Sequence, residues 1–330
     1  MISLKEPLLF TPVYKDYLWG GGKIAEQFQR KGTPVPCAES WEISAHPDGV
    51  SRVAEGTFKG CGLNELAQRF GAKLTGTLAP QSDCFPLLFK IIDARLKLSL
   101  QVHPNNANAA LTAGEPKTEM WYVLDAEKGS SLYAGMGAAA NEQSVRGALA
   151  DGRVAGQLIE LRVQPGQALF IPGGLAHAIG DGCLIYEVQQ NSNTTYRIFD
   201  WNRTDTAGKP RPLHIEESLK TIDWSLQPPA MITPTLDHTS NGARWSKVIA
   251  CEFFTVRKLD LSGSTEIEHD GSTFSAIFVV AGAARVACNG SVVYLSRGGS
   301  ALIPAAVKKF TLATATEASL LVTTLSDTTL

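Results

Sequence analysis

Residues 164–203 read QPGQALFIPGGLAHAIGDGCLIYEVQQNSNTTYRIFDWNR, and this stretch decides the fold. Pro165-Gly166 opens a turn, and Ala168 to Ile171 is a short apolar run with the look of a strand. Pro172-Gly173-Gly174 breaks the ladder, because proline offers no donor and glycine admits unusual backbone angles. Leu184 to Val188 predicts the next strand. His177, just past the turn and between apolar neighbours, is a candidate metal ligand. The polar run Gln189 to Thr195, ending in Tyr196-Arg197, is denser than a plain turn requires and predicts the lining of a polar site.

The same texture extends over the chain. Thirty glycines and seventeen prolines among 330 residues punctuate many short apolar runs, as in an all-β sandwich or barrel. Strands are expected at 39–44, 85–92, 96–102 and 120–124. Helices are few and short. Leu63, Leu66, Ala67 and Phe70 share helical spacing before Gly71; residues 106–114, 141–150 and 215–221 read as further helical pieces. The length suits two domains. Pro228, Pro229 and Pro234 mark 227–241 as a linker, leaving domains at 1–226 and 242–330.

A faint internal repeat supports two similar domains. Gly166–Pro172 matches Gly298–Pro304 in its glycine-to-proline spacing, and Met120 to Leu124 resembles Ala276 to Val280. Five residues after Pro172 stands His177; five after Pro304 stands Lys309. The second copy is therefore expected to be a structural duplicate without a metal.

Composition narrows the function. Hydrophobic residues make up 44% and charged residues 19%, a globular balance, and the net charge of −2 argues against a nucleic-acid binder. No apolar run approaches the roughly 18–20 residues of a membrane span, and the N-terminal stretch has no secretory pattern. The six cysteines are scattered with no C-x-x-C pair, so free thiols in a cytoplasmic protein are expected.

Chemistry concentrates in two more pairs. Gln101 and His103 are two apart at the end of KLSLQVHP, with Ser99 on the same side; residues so spaced on a strand share a face. Lys117 and Glu119, in KTEMWYVL, share a face likewise. Gln101, His103, Glu119 and His177 together make a set that fits a divalent metal such as zinc. The set carries one negative charge against a dication, so the centre stays electrophilic. The residues alone say metal-binding β-barrel. Glu187 and Asp200 are further acids, better read as groups that orient their neighbours. Trp41 reads as core, and Trp19 as either core or a wall of the site.

These residues resemble a family. ESWEIS at 39–44, FPLLFKIIDARLKLSLQVHPN at 85–105, PKTEMWYVL at 116–124 and IPGGLAHAI followed by YEVQQNSNTTYRIFDWNR are similar, in order, to the short bacterial form of the type I phosphomannose isomerases (mannose-6-phosphate isomerases). The resemblance implies a cupin jelly-roll sandwich followed by a second, degenerate jelly roll. It implies one zinc per chain, on Gln101, His103, Glu119 and His177. It also implies an active-site role for Arg197, a place for Lys117 in the pocket, and sugar-phosphate contacts by Lys90 and Ser99. The activity implied is aldose–ketose isomerisation of mannose 6-phosphate and fructose 6-phosphate, a step of carbohydrate metabolism, with a small-molecule partner only. Two other readings keep the metal site. An iron-dependent oxygenase gives no role to Arg197 or Lys117, and a non-catalytic sugar-phosphate sensor has no need to keep every group.

Overall fold

The computed structural model describes residues 3–80, 84–204 and 207–327. The chain divides into two compact units: residues 14–40 with 90–232, and residues 1–13 and 41–89 with 233–330. This differs from the expected division at 227–241. The break near 232 falls inside the predicted linker, but two N-terminal pieces join the C-terminal segment. The linker itself is half strand, since Thr235–Ser240 pairs with Ala243–Ala250. Prolines at 228, 229 and 234 stand just before that edge strand, where a missing donor costs nothing.

The first unit is built on two antiparallel sheets, in which residues 13, 41–43 and 87–89 are counted with the second unit. We number their strands β1 Val13–Lys15, β2 Glu39–Ile43, β3 Leu87–Ala94, β4 Leu100–Val102, β5 Glu119–Ala126, β6 Ser131–Met136, β7 Leu158–Arg162, β8 Ala168–Ile171, β9 His177–Ile179, β10 Cys183–Gln190 and β11 Tyr196–Phe199. One sheet has the order β8-β5-β10-β3-β2-β1, the other β11-β4-β9-β6-β7. Trp121, Val123, Leu169, Ile171 and Ile185 from the first pack with Leu132, Ala134 and Ile179 from the second. This is the expected jelly-roll sandwich. Alternation sorts the side chains: Leu100, Val102, Tyr196 and Ile198 turn outward to a second apolar cluster with Val145, Ala148 and Leu219, residues of the helices Glu142–Ala150 and Ile215–Thr221. Gln101 and Arg197, one position along, turn inward.

Each helix has a local cause. Asn141 caps Glu142–Ala150 by accepting from Ser144 N–H at 3.0 Å. Leu63–Phe70 stops at Gly71, whose φ is +48°. The piece predicted at 106–114 shrinks to a single turn, Ala109–Leu111. The side chain of Asn105 takes the N–H groups of Ala107 and Asn108, both at 2.9 Å, and so holds the backbone in a turn instead.

The C-terminal part of the second unit is a sheet of order Thr235–Ser240, Ala243–Ala250, Thr255–Leu261, Ala318–Thr324, Ser275–Cys288, Lys309–Ala313 and Ser264–Glu268, with Ser291–Ser296 and Ser300–Ile303 also paired to Ser275–Cys288. Trp41 is fully buried in this unit against His46, so it is core as expected. The internal repeat is real in its hydrogen bonding. Glu119 pairs with Ile171 and Tyr122 with Ala168; Ser275 pairs with Ile303 and Phe278 with Ser300. Gly166 N–H donates to Val123 O and Gly298 N–H to Val279 O, both at 2.8 Å. The position of Glu119 is thus taken by Ser275 in the second copy, and the only cluster of metal-ligating side chains among the described residues is in the first.

Candidate active site

Three elements carry the candidate ligands inward. Strand β4 pairs with β9 so that Gln101 lies directly opposite His177, and with β11 so that it lies opposite Arg197. His103 follows β4 on the same face as Gln101. Glu119 opens β5 in the other sheet, opposite Ile171 and Gln189. The Pro-Gly-Gly turn makes the approach possible. A Cβ on Gly173 would lie 2.6 Å from Pro104 O, and Gly174, at φ +95°, donates its N–H to His103 O at 2.7 Å. The turn after β8 is thereby tied to the segment that carries His103.

The four side chains meet. His177 Nε2 stands 3.2 Å from His103 Nε2 and 3.3 Å from Gln101 Nε2. Glu119 Oε1 is 3.4 Å from His177 Nε2, and Oε2 is 3.5 Å from His103 Nε2. The ligand atoms of His103, Glu119 and His177 all lie within 4.8 Å of one another. His177 Nδ1 donates to Leu175 O at 2.7 Å, which leaves the Nε2 lone pair aimed at the centre. Burial pushes His177 down to about 4 and His103 well below the usual range, so both rings are neutral at pH 7 and can offer lone pairs. Burial, then the nearby Glu187 charge, pushes the Glu119 carboxyl up to about 7. Both Glu119 oxygens are buried and neither accepts a hydrogen bond of good geometry, although Lys117 Nζ is 3.0 Å from Oε2. A buried carboxylate with open acceptors facing two neutral imidazoles and an amide is a donor set that fits a divalent cation.

Lys117 stands at this centre. Its Nζ is also 3.1 Å from His103 Nε2. Beside it opens a cavity of about 280 Å³, near the lower end of ligand pockets. Gln101, Lys117, Lys90, Ser99 and Arg197 all line it, so every predicted site residue except the three buried ligands reaches the cavity wall. Tyr17 and Trp19 line it too; Trp19 is at once core and wall.

Some of the site was not expected. Lys90 is buried between Glu39 and Glu187, 3.5 Å from a carboxylate oxygen of each. Burial opposes its charge, but the two carboxylates outweigh it and raise the Lys90 pKa. Glu187 accepts Trp121 Nε1–H at 2.9 Å, and its Oε1 is buried without a hydrogen-bond partner. Burial would raise Glu187, yet Lys117 and Lys90 hold it below the usual carboxylate range. Glu39 and Glu187 both line the cavity. Glu39 opens the quoted ESWEIS motif, but no spacing links it to Lys90. Of the polar run, Asn193 and Thr195 line the cavity, whereas Gln189 turns away to donate to Gln190 O and Ser192 O and shapes the loop. Arg211 lines the cavity as well, from a loop without periodicity that sequence reasoning passed over.

Comparison with known proteins gives one answer. A family model described as phosphomannose isomerase type I, catalytic domain, matches residues 8–134, and one described as mannose-6-phosphate isomerase, cupin domain, matches residues 245–323. A mannose-6-phosphate isomerase of Streptococcus mutans is 36% identical over 308 residues, covering 93% of this chain and 95% of that protein. The mannose-6-phosphate isomerase ManA of Bacillus subtilis is 36% identical over 313 residues, covering 93% and 96%. Among solved structures, the mannose 6-phosphate isomerase from Bacillus subtilis matches with a TM-score of 0.87 at 30% identity, over 97% of this chain and 99% of that one. A putative mannosephosphate isomerase from Archaeoglobus fulgidus, at 22% identity and a TM-score of 0.78, covers 99% of this chain and 100% of its own and shares the fold.

Proposed function

The chain belongs to the type I phosphomannose isomerase family, and from that premise we propose that it interconverts mannose 6-phosphate and fructose 6-phosphate with one zinc ion held by Gln101, His103, Glu119 and His177. The observation that carries the reading is the convergence of two neutral imidazoles, an amide and a buried carboxylate beside a cavity lined by Lys90, Lys117, Arg197 and Arg211. The nitrogen and oxygen donors suit zinc among the divalent ions. A bound metal would supply Lewis-acid polarisation of the sugar carbonyl.

The chain's own groups do the rest. In the open-chain aldose the proton on C2 must leave and return at C1, while the hydroxyl proton of O2 moves to O1. Lys117, which lines the cavity beside His103 and Glu119, is the group proposed to carry the carbon-bound proton. Arg197 faces the cavity one strand from Gln101 and holds the negative charge that develops on the sugar oxygens. Lys90 and Ser99 bind substrate. Lys90 is already flanked by two carboxylates, which suits it to a sugar hydroxyl better than to a phosphate. The apolar side chains of Ile92, Leu98 and Ile179 in the lining limit the access of water to the reacting carbons.

A second reading gives the base to Glu187, since it lines the cavity, is held below the usual carboxylate range, and has a buried Oε1 that accepts no hydrogen bond, with Lys90 Nζ 3.5 Å away. The enzyme is proposed to be cytoplasmic. Its six cysteines, none of them in a disulfide among the described residues, suit a reducing compartment, and no helix among the described residues is long and apolar enough to cross a membrane. Turnover of mannose 6-phosphate by the purified chain, read through a coupled assay for fructose 6-phosphate, tests the function. A folded, metal-loaded protein without turnover contradicts it.

A further inference from the structure

We propose that Arg211, braced by Asp200, is the residue that recognises the phosphate of the substrate; the proposal rests on the isomerase reading above. A phosphate dianion is best held where cations outnumber carboxylates, and guanidinium groups suit it best. The cavity wall offers Lys90, Lys117, Arg197 and Arg211. The two lysines are matched. Lys90 Nζ lies 3.5 Å from both Glu39 and Glu187, and Lys117 Nζ lies 3.0 Å from Glu119. Two lysines against three carboxylates leave that part of the site with a net charge of −1 before any cation binds.

The arginine wall has the opposite balance. Arg197, Arg203 and Arg211 stand around a single carboxylate, Asp200, for a net charge of +2. Asp200 accepts Arg211 Nε–H at 2.8 Å and Nη2–H at 2.5 Å, so one edge of the guanidinium is clamped. Arg203 Nη2 donates to the same carboxylate, at the Oδ1 that also accepts from Arg211 Nη2, and helps to fix it. The clamp leaves the Nη1 edge of Arg211 for the cavity and fixes its plane beforehand. Arg197 Nη1 donates to Pro212 O at 2.8 Å, which ties the loop of Arg211 to the strand of Arg197. The Nε of Arg197 is buried with no hydrogen-bond partner, an open donor at the same wall. This is a preformed anion site at the wall, where three guanidinium groups outnumber their one carboxylate.

The test uses the full-length enzyme and the variants Arg211→Met and Arg211→Lys, with mannose 6-phosphate as substrate and inorganic phosphate as competitive inhibitor. For Arg211→Met, KM and the inhibition constant of phosphate should both rise roughly 10–100-fold, with kcat within about threefold, the loss of a charge-assisted hydrogen bond. Arg211→Lys should fall between, and thermal melting controls for folding. Unchanged KM and unchanged phosphate inhibition in folded Arg211→Met overturn the proposal. Direct titration of wild type and Arg211→Met with inorganic phosphate in a calorimeter keeps the two readings apart. Wild type that binds phosphate without turning over substrate sinks the isomerase reading alone; equal phosphate binding by both proteins sinks the role of Arg211 alone.

Discussion

Gln101 and His177 are direct partners across adjacent antiparallel strands, with Gln101 Nε2 3.3 Å from His177 Nε2. Sheet register therefore sets two of the four proposed ligands, and Arg197 extends the same row as the partner of Gln101 on its other side. A half-turn of the Gln101 amide brings its oxygen to the same point, as a ligand role requires. Because side chains alternate along a strand, a slip of one residue in β4 would send Gln101 outward and Leu100 or Val102 into the site.

Removing a ligand should remove the metal. His177→Ala is expected to lower activity by about 100-fold or more, beyond what a supporting residue costs. Metal content per chain, measured by plasma mass spectrometry after gel filtration, should fall from one zinc toward zero. The fold should survive, because the sandwich core is built from other side chains.

The proton-carrying role separates Lys117 from Glu187. Lys117→Met should cut kcat by about 10²–10⁴ with a much smaller change in KM, and the protein should retain zinc. Glu187→Gln should cost far less if Glu187 only orients Lys90 and Trp121. Reversed magnitudes would transfer the base to Glu187.

Gly173 is a spacing residue. A Cβ there meets Pro104 O at 2.6 Å and Asn105 N at 2.9 Å, both backbone, so something rigid must shift. Gly173→Ala should cost about 1–3 kcal/mol in denaturant unfolding. It should also weaken zinc retention, because the displaced segment carries His103.

Asp93 gives a pH signature away from the ligands. It accepts Lys23 N–H at 2.7 Å, and a Cβ on Gly21 would touch both its oxygens at 2.7 Å, which is why glycine stands there. Burial, opposed by that hydrogen bond, pushes its carboxyl up to about 6. The folded pKa lies above the unfolded one, so its stabilising contribution is full below about pH 4 and is lost as pH rises through about 6. Between pH 4.5 and 7 the wild type should lose up to about 2 kcal/mol more stability than Asp93→Asn. Unfolding curves at the two pH values measure the difference.

What was legible beforehand was what periodicity and spacing can carry. Alternation in KLSLQVHP puts Gln101 and His103 on one face, and the shared spacing of Gly166–Pro172 and Gly298–Pro304 corresponds to matching strand pairs. Lys117 and Glu119 were paired by their two-residue offset. Contacts between distant segments had no such signal. Glu39 meets Lys90 only because the strand that opens at Glu39 lies beside β3 in the sheet. Arg211 reaches the cavity through an irregular loop whose path is set by Asp200. The regrouping of 1–13 and 41–89 with the C-terminal segment is likewise long-range and leaves no mark in local composition.

The central claim is a metal-dependent isomerase, and one measurement tests it most directly. Fructose 6-phosphate formation from mannose 6-phosphate is followed on the native protein, after chelation, and after zinc is restored. The account predicts turnover that disappears with the chelator and returns with zinc. Turnover that persists in protein shown to be metal-free, or none in folded protein loaded with zinc, would contradict it.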